Sequence, residues 1–209
     1  MTDQDPFDGE RIREIVLLGF PQVELLDLTG PYEVFSAAAA RLDEDRRPTV
    51  RVASTGALGL RTFNGLTLHA DLTLEQLETV DLLVVPGGRG VRALLEDGPF
   101  LGRLAELVET SRVVLSVCTG SWLLARLGLL AGRRATSHHQ GLERLAELAP
   151  DALVQADRRW VEDGPFVLSA GVSAGIDASF HVVERLWGAE LADATARHIE
   201  YPWSAGDGG

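Results

Sequence analysis

A chain of 209 residues, 45% of them hydrophobic, is long enough to bury one substantial core and fits one domain better than two. Its formal net charge of -12 argues against a nucleic-acid partner, which would need clustered Lys and Arg; the pairs Arg133-Arg134 and Arg158-Arg159 read as solvated surface. No apolar run is long enough to span a bilayer, and the acidic stretch MTDQDPFDGE matches neither a secretory signal nor a basic transit peptide, so a cytoplasmic protein with no membrane partner is expected.

In chain order, short β-type runs alternate with helical stretches. Residues 12–20 (IREIVLLGF) read as a buried strand that turns at Pro21, and residues 31–40 as a helix opening at Pro31. A charged connector over 41–47 leads to a strand over 49–54 and then to a small hairpin over 60–69 around Asn64-Gly65. The apolar strand over 80–85 stops at Pro86-Gly87-Gly88, with helical segments over 91–95 and 100–110 behind it. A second apolar run, 113–117, delivers Cys118 to Thr119-Gly120 and a helix. Residues 134–137 are extended, 141–149 helical, and 153–168 carry two or three strands around Asp163-Gly164. The closing segments 173–187 and 190–200 are helical with a break at Gly188. Strands alternating with helices imply an α/β sandwich with a mostly parallel sheet. A single domain over 12–203 is expected, between flexible ends at 1–11 and 204–209.

Reactive groups in such sheets collect outside the carboxyl ends of the strands, and three strand ends here carry unusual residues. After the first strand, Asp27 lies between leucines and either caps the following helix or is held partly desolvated. Gly87-Gly88 alone reads as a strand stop, and Cys118 alone as a small buried hydrophobe. Together they supply one mechanism. Cys118 is the only cysteine, so it cannot form an internal disulfide, and on a strand-to-helix turn it reads as a nucleophile whose thiolate the helix N-terminus favours. Gly87, Gly88 and the Thr119 amide are candidate donors to an anionic intermediate, and Asp27 is a group that can hold or move the proton.

The motifs LLDLTGPYEVF, VVPGGRGV, SVCTGSWLLARLGLLAGRRATSHH and AGVSAGIDASFHVVERLWG resemble the ThiJ/PfpI (DJ-1/PfpI) family of the class I glutamine amidotransferase-like superfamily, and within it most closely the isonitrile hydratase branch. The likeness spans about residues 12–203. It implies a flavodoxin-like three-layer sandwich, a homodimer, and a nucleophile at Cys118 held in a strained backbone conformation. It also implies that Asp27 hydrogen-bonds to the thiol, that Gly88 and Thr119 donate around a small electrophilic substrate, and that His138 faces the pocket. The implied reaction is cofactor-independent hydration of an isocyanide to an N-substituted formamide. Two alternatives use the same residues: conversion of small dicarbonyls of the glyoxalase or deglycase type, and a redox-sensing or ligand-binding module without turnover.

Several residues depart from neighbouring branches. Thr119 stands where the protease-like branch has a His after its cysteine, so a Cys-His peptidase dyad is unsupported. His181 and Glu184 read as core and surface rather than as partners of the cysteine, and the chain has no room for the basic helix-turn-helix domain of family regulators. His139 replaces a common aromatic, and Trp122 either shapes the pocket or packs. His138-His139 would diverge on a strand, so no metal is assigned. The GVSAG stretch from Gly171 to Gly175 lacks the Lys and Ser/Thr of a nucleotide loop and reads as a close-packing turn. Tyr32, Phe35 and Trp203 are candidates for covering an interface.

Overall fold

The computed structural model describes residues 11–203, so the ends expected to be flexible, apart from Arg11, lie outside the described residues. Four strands rich in Val, Ile and Leu form the centre of one sheet: β1 (Glu14–Gly19), β6 (Leu82–Val85), β7 (Val113–Val117) and β11 (Phe166–Ser169). Their near-continuous burial, rather than alternation, is what a sheet covered on both faces requires. β2 (Thr49–Ser54) and β5 (Leu72–Thr73) extend one side, and β10 (Trp160–Asp163) the other, in the order β10-β11-β7-β6-β1-β2-β5. All pairs are parallel except β10 with β11, which are joined by the Asp163-Gly164 turn.

The chain order reverses between β1 and β6. From β1 the helix α1 (Leu25–Ala39) leads outward to β2, whereas from β6 the helices α2 (Val91–Leu94) and α3 (Gly98–Thr110) lead the opposite way to β7. Two right-handed crossovers that run in opposite directions place their helices on opposite faces, and the gap they leave at the strand ends is the crevice of a doubly wound sheet. On the α1 face pack α6 (Ala174–Trp187) and α7 (Ala189–His198), separated by Gly188 at φ 94°. β7 passes through a single 3-10 turn, Cys118–Gly120, into the six-residue α4 (Ser121–Arg126), against which α5 (Leu142–Leu148) packs. The expected hairpin is β3 (Gly59–Arg61) with β4 (Thr67–His69); β8 (Arg134–Ala135) and β9 (Leu153–Val154) form a separate small parallel pair.

Three expectations change. The first helix begins at Leu25, six residues before the Pro31 taken as its opening, and carries Pro31 in its interior. A proline there removes the donor to the Asp27 carbonyl; both Gly30 and Pro31 are buried, and Gly30 faces Ile176 of α6 so closely that a Cβ on it would lie 2.9 Å from Ile176 Cγ1. Phe35 and Trp203 are used within the chain: Phe35 is fully buried, and Trp203 stacks on Phe180. Arg158-Arg159 is not merely solvated, since Arg159 Nε donates to Asp177 at 2.7 Å.

Candidate active site

The site is assembled from three consecutive structural decisions at the carboxyl ends of β1, β6 and β7. After β1 the segment Gln22–Glu24 folds back against the end of β6: the Glu24 N–H donates to the Gly87 carbonyl at 2.9 Å, and Val23 bridges Gly88. This approach is so close that a Cβ on Gly88, which sits at φ 131°, would lie 2.4 Å from the Glu24 nitrogen. The turn then starts α1 with Glu24 at the N-cap position, which contributes no side-chain cap; Asn64 at the tip of the hairpin accepts from the Leu25 N–H instead, at 3.1 Å. Asp27 is therefore in the first turn of α1 and not its cap, fully buried, with Oδ2 accepting the Gly87 N–H at 3.1 Å. Its Oδ1 is buried with no partner of hydrogen-bond geometry among the described residues.

Cys118 lies within hydrogen-bonding reach of that carboxyl. Its φ of 58° is the left-handed conformation that side chains other than Gly rarely adopt. Three hydrogen bonds hold it there: the Cys118 N–H donates to the Ala170 carbonyl at 3.0 Å, and the hydroxyls of Ser121 and Ser137 donate to the Cys118 carbonyl at 3.1 and 2.9 Å. Over-determination of this kind is what keeps backbone strain in place at a functional turn. The expected sharp strand-to-helix elbow is thus present.

The electrostatics differ from the expectation of a helix-stabilised thiolate. Burial first, and the Asp27 charge second, push the Cys118 thiol up to about 12. Burial likewise raises Asp27 to about 7, against smaller opposing contributions from the thiol and the Gly87 N–H. The physical reason is that one dry site cannot hold two anions, and a six-residue helix reached through a 3-10 turn offers too weak a dipole to offset desolvation. At rest the pair is a thiol beside a carboxyl that titrates near neutrality. The backbone N–H groups of Thr119 and Val172 point at the sulfur and oppose the upward shift, and the Val172 N–H also reaches Asp27.

The sulfur opens into a cavity of about 320 Å³ lined by Glu24, Gly88, Thr119, Trp122, His138 and Val172, with Phe63, Arg89 and Arg92 also in its wall. Of the sequence-predicted residues, Cys118, Gly88, Thr119 and His138 face this space, whereas Asp27 lies buried behind the thiol. Gly87 and Gly88 have their N–H groups engaged within the protein, by Asp27 Oδ2 and by Thr119 Oγ1 at 3.1 Å, which leaves Thr119 and Val172 as the amides directed at the sulfur. His138 is lowered from its ordinary value by burial and by His139, and its Nδ1 accepts the Gln140 N–H at 3.2 Å, so the neutral ring carries its proton on Nε2. Trp122 does both things foreseen for it, lining the cavity and donating from Nε1 to the Gly141 carbonyl at 3.0 Å.

The two histidines do not diverge: they sit where β8 has ended and a 3-10 turn begins, with ring centroids 4.2 Å apart. Among the described residues no group of three or more His, Cys, Asp or Glu side chains is placed to hold a metal. His181 is paired with Glu162 and stacked on Trp160 at 3.8 Å, while Gly175 lets α6 close onto Val117, as the close-packing reading of GVSAG expects. Sequence reasoning missed Glu24, Arg89, Arg92 and Val172. The last has a signal in retrospect, a β-branched residue between Gly171 and Ser173 that adopts φ 50°.

Among the described residues no helix is long and apolar enough to cross a membrane. Isonitrile hydratase from Pseudomonas putida is 35% identical to this chain over 190 residues, covering 90% of this chain and 78% of that protein. A ThiJ/PfpI family protein from Pseudomonas syringae superposes with a TM-score of 0.81 at 27% identity, covering 98% of this chain and 82% of that one. Drosophila melanogaster DJ-1beta superposes with a TM-score of 0.80 at 20% identity over 92% of this chain and all of that one, a likeness that speaks to the fold alone. With the profile of the DJ-1/PfpI family matching residues 13–185, and with a lone cysteine on a strained strand-to-helix turn, the chain belongs to the DJ-1/PfpI family.

Proposed function

We propose that this protein hydrates an isonitrile to an N-substituted formamide. The observation that carries the reading is the buried Cys118–Asp27 pair beneath the cavity, in a chain alignable with an isonitrile hydratase over 90% of its length. An isonitrile carbon accepts a nucleophile and then needs a proton, and this pair holds both. Cys118 Sγ bonds to the terminal carbon while its proton passes to the Asp27 carboxylate and from there to that carbon, giving a thioimidate, S–CH=N–R. Water then adds across the C=N bond, its oxygen to the same carbon and one of its protons to the nitrogen; the C–S bond breaks with its electron pair returning to sulfur, and the second water proton reaches the thiolate through Asp27. One isonitrile and one water become one formamide, with no change of oxidation state and no requirement for a cofactor. A thiol near 12 is a poor nucleophile until its proton is removed, and a carboxyl near 7 is matched to that task at neutral pH. Thr119 and Val172 N–H groups stabilise the charge on sulfur as it forms and leaves, and His138 presents Nε2–H to the substrate nitrogen.

Purified protein incubated with cyclohexyl isocyanide should release N-cyclohexylformamide, followed by chromatography. Cys118→Ala should abolish release, and Asp27→Asn should slow it by roughly 10²- to 10⁴-fold, the usual contribution of a positioned acid–base group. Formamide production that persists in both variants would overturn the assignment. The protein is further proposed to work as a cytoplasmic homodimer; light scattering of the purified chain tests the oligomer. Supporting an interface are Leu26 and Tyr32 on α1 and Leu66 beside the hairpin tip, large apolar side chains left exposed.

A further inference from the structure

The cavity wall holds two arginines that the hydration chemistry does not use. Arg89 follows the Gly87-Gly88 turn, and Arg92 lies three residues on in α2, so one short segment delivers both guanidinium groups to the same cavity. Each stacks on an aromatic ring of that cavity: Arg89 stands 5.2 Å from the Phe63 ring centroid and Arg92 5.4 Å from that of Trp122. Stacking fixes a guanidinium while leaving its in-plane N–H donors free to meet a carboxylate in bidentate fashion. The chain carries 31 acidic side chains against 19 basic ones, and elsewhere Arg51, Arg103, Arg133, Arg144 and Arg159 are in ion pairs. Arg89 and Arg92 have no carboxylate within ion-pair distance among the described residues. The one carboxylate in the cavity wall, Glu24, is instead within electrostatic reach of Asp27 and His138.

We propose that the substrate of Cys118 carries a carboxylate at its end remote from the reacting carbon, and that Arg89 and Arg92 bind it. The preferred substrate class is then a short isocyano carboxylate, with an isonitrile of a bare hydrocarbon such as cyclohexyl isocyanide turned over but bound more weakly. Short length follows from the neighbouring groove, which shares Arg92, Trp122 and Gln140 with the cavity and beyond them presents Glu96, Glu143 and the Arg144–Glu147 ion pair, an acidic balance. An anion on a long chain would be pushed into those acids. The identity of the reacting group rests on the proposed hydration, whereas the anion subsite rests on the arginines alone.

The test separates the two. Calorimetric titration of the wild-type protein with N-formylglycine, the hydration product of isocyanoacetate, and with its methyl ester compares charged and neutral ligands without turnover. The acid should bind at least about tenfold more tightly than the ester, with the preference shrinking as salt is added and falling to near unity in the Arg89→Gln/Arg92→Gln double variant. Both side chains are exposed, so the thermal midpoint of the variant checks that its fold is intact. Equal binding of acid and ester, undetectable binding of the acid, or a preference that survives the double substitution would overturn the subsite. Selective binding of the acid without formamide release from isocyanoacetate or cyclohexyl isocyanide would leave the subsite standing and remove the hydration.

Discussion

Asp27 and Cys118 share a site in which desolvation makes a second negative charge prohibitive, and two measurable consequences follow. In the proposed hydration Asp27 must be ionised to receive the thiol proton, so kcat/KM should fall as pH drops below about 7, and this acid limb should vanish in Asp27→Asn. Removing the carboxylate charge also eases ionisation of the sulfur; alkylation of Cys118 by iodoacetamide at pH 8 should be about tenfold faster in Asp27→Asn than in the wild type, one unit of pKa being tenfold in thiolate. The same carboxyl bears on stability with a definite sign. Its folded value of about 7 lies above the ordinary 3.8, so between those two pH values the folded protein holds a proton that the unfolded chain has released. Stability attributable to Asp27 therefore falls as pH rises through that window, by on the order of 4 kcal/mol, and the loss is complete above about pH 7. Asp27→Asn, which keeps an acceptor for the Gly87 N–H, should raise the thermal midpoint by several degrees at pH 8 and leave it little changed at pH 4.

At the scale of elements, the site depends on supports that come from far along the chain. The helix that carries Asp27 has no cap of its own, and Asn64 on the hairpin supplies it; the Phe63 N–H donates to the Val23 carbonyl at 2.8 Å and the Gln22 N–H to the Arg61 carbonyl at 2.8 Å, tying the same hairpin to the turn before α1. Asn64→Ala should lower stability by about 1 kcal/mol in urea unfolding, the usual effect of losing a cap, and reduce kcat through the position of Asp27. Pro31 in the interior of α1 illustrates what pattern reading misses here. A proline near the start of an apolar stretch reads as a first helical residue, whereas the folded chain buries Pro31 in the helix interior beside Gly30, which meets Ile176 of α6.

For the whole molecule, closure comes from the end of the chain. Beyond α7 the segment 199–203 returns over α6, where Tyr201 and Trp203 stack on Phe180 at 5.6 and 5.4 Å and the Tyr201 hydroxyl donates to Asp177 at 2.8 Å. Asp177 in turn pairs with Arg159 at the start of the β10 hairpin, so one carboxylate joins the closing segment, α6 and the approach to the edge strand. Phe180 is fully buried, and Trp203→Ala would uncover it; the substitution should destabilise the protein by about 3 kcal/mol in urea unfolding with the Cys118 alkylation rate unchanged.

Much of this molecule was legible before folding. Apolar runs such as LLVV and VVLSV, broken by Pro-Gly-Gly and Cys-Thr-Gly, carry strand identity and the position of the reactive turn locally, because burial on both faces leaves no other use for four or five consecutive aliphatic residues. The motif resemblance likewise pointed to the family, to Cys118 and to Asp27. The protonation states were not legible, since they depend on how much water the folded chain excludes from Asp27 and Cys118 together. Nor was the division of the backbone donors, in which Gly87 and Gly88 serve Asp27 and Thr119 while Val172, some fifty residues beyond the cysteine, turns its N–H toward the sulfur. Groups distant in sequence acquire shifted charges and particular partners only when packing brings them to one dry point, and for that reason Arg89, Arg92 and Glu24 became cavity residues only once the strand ends had converged.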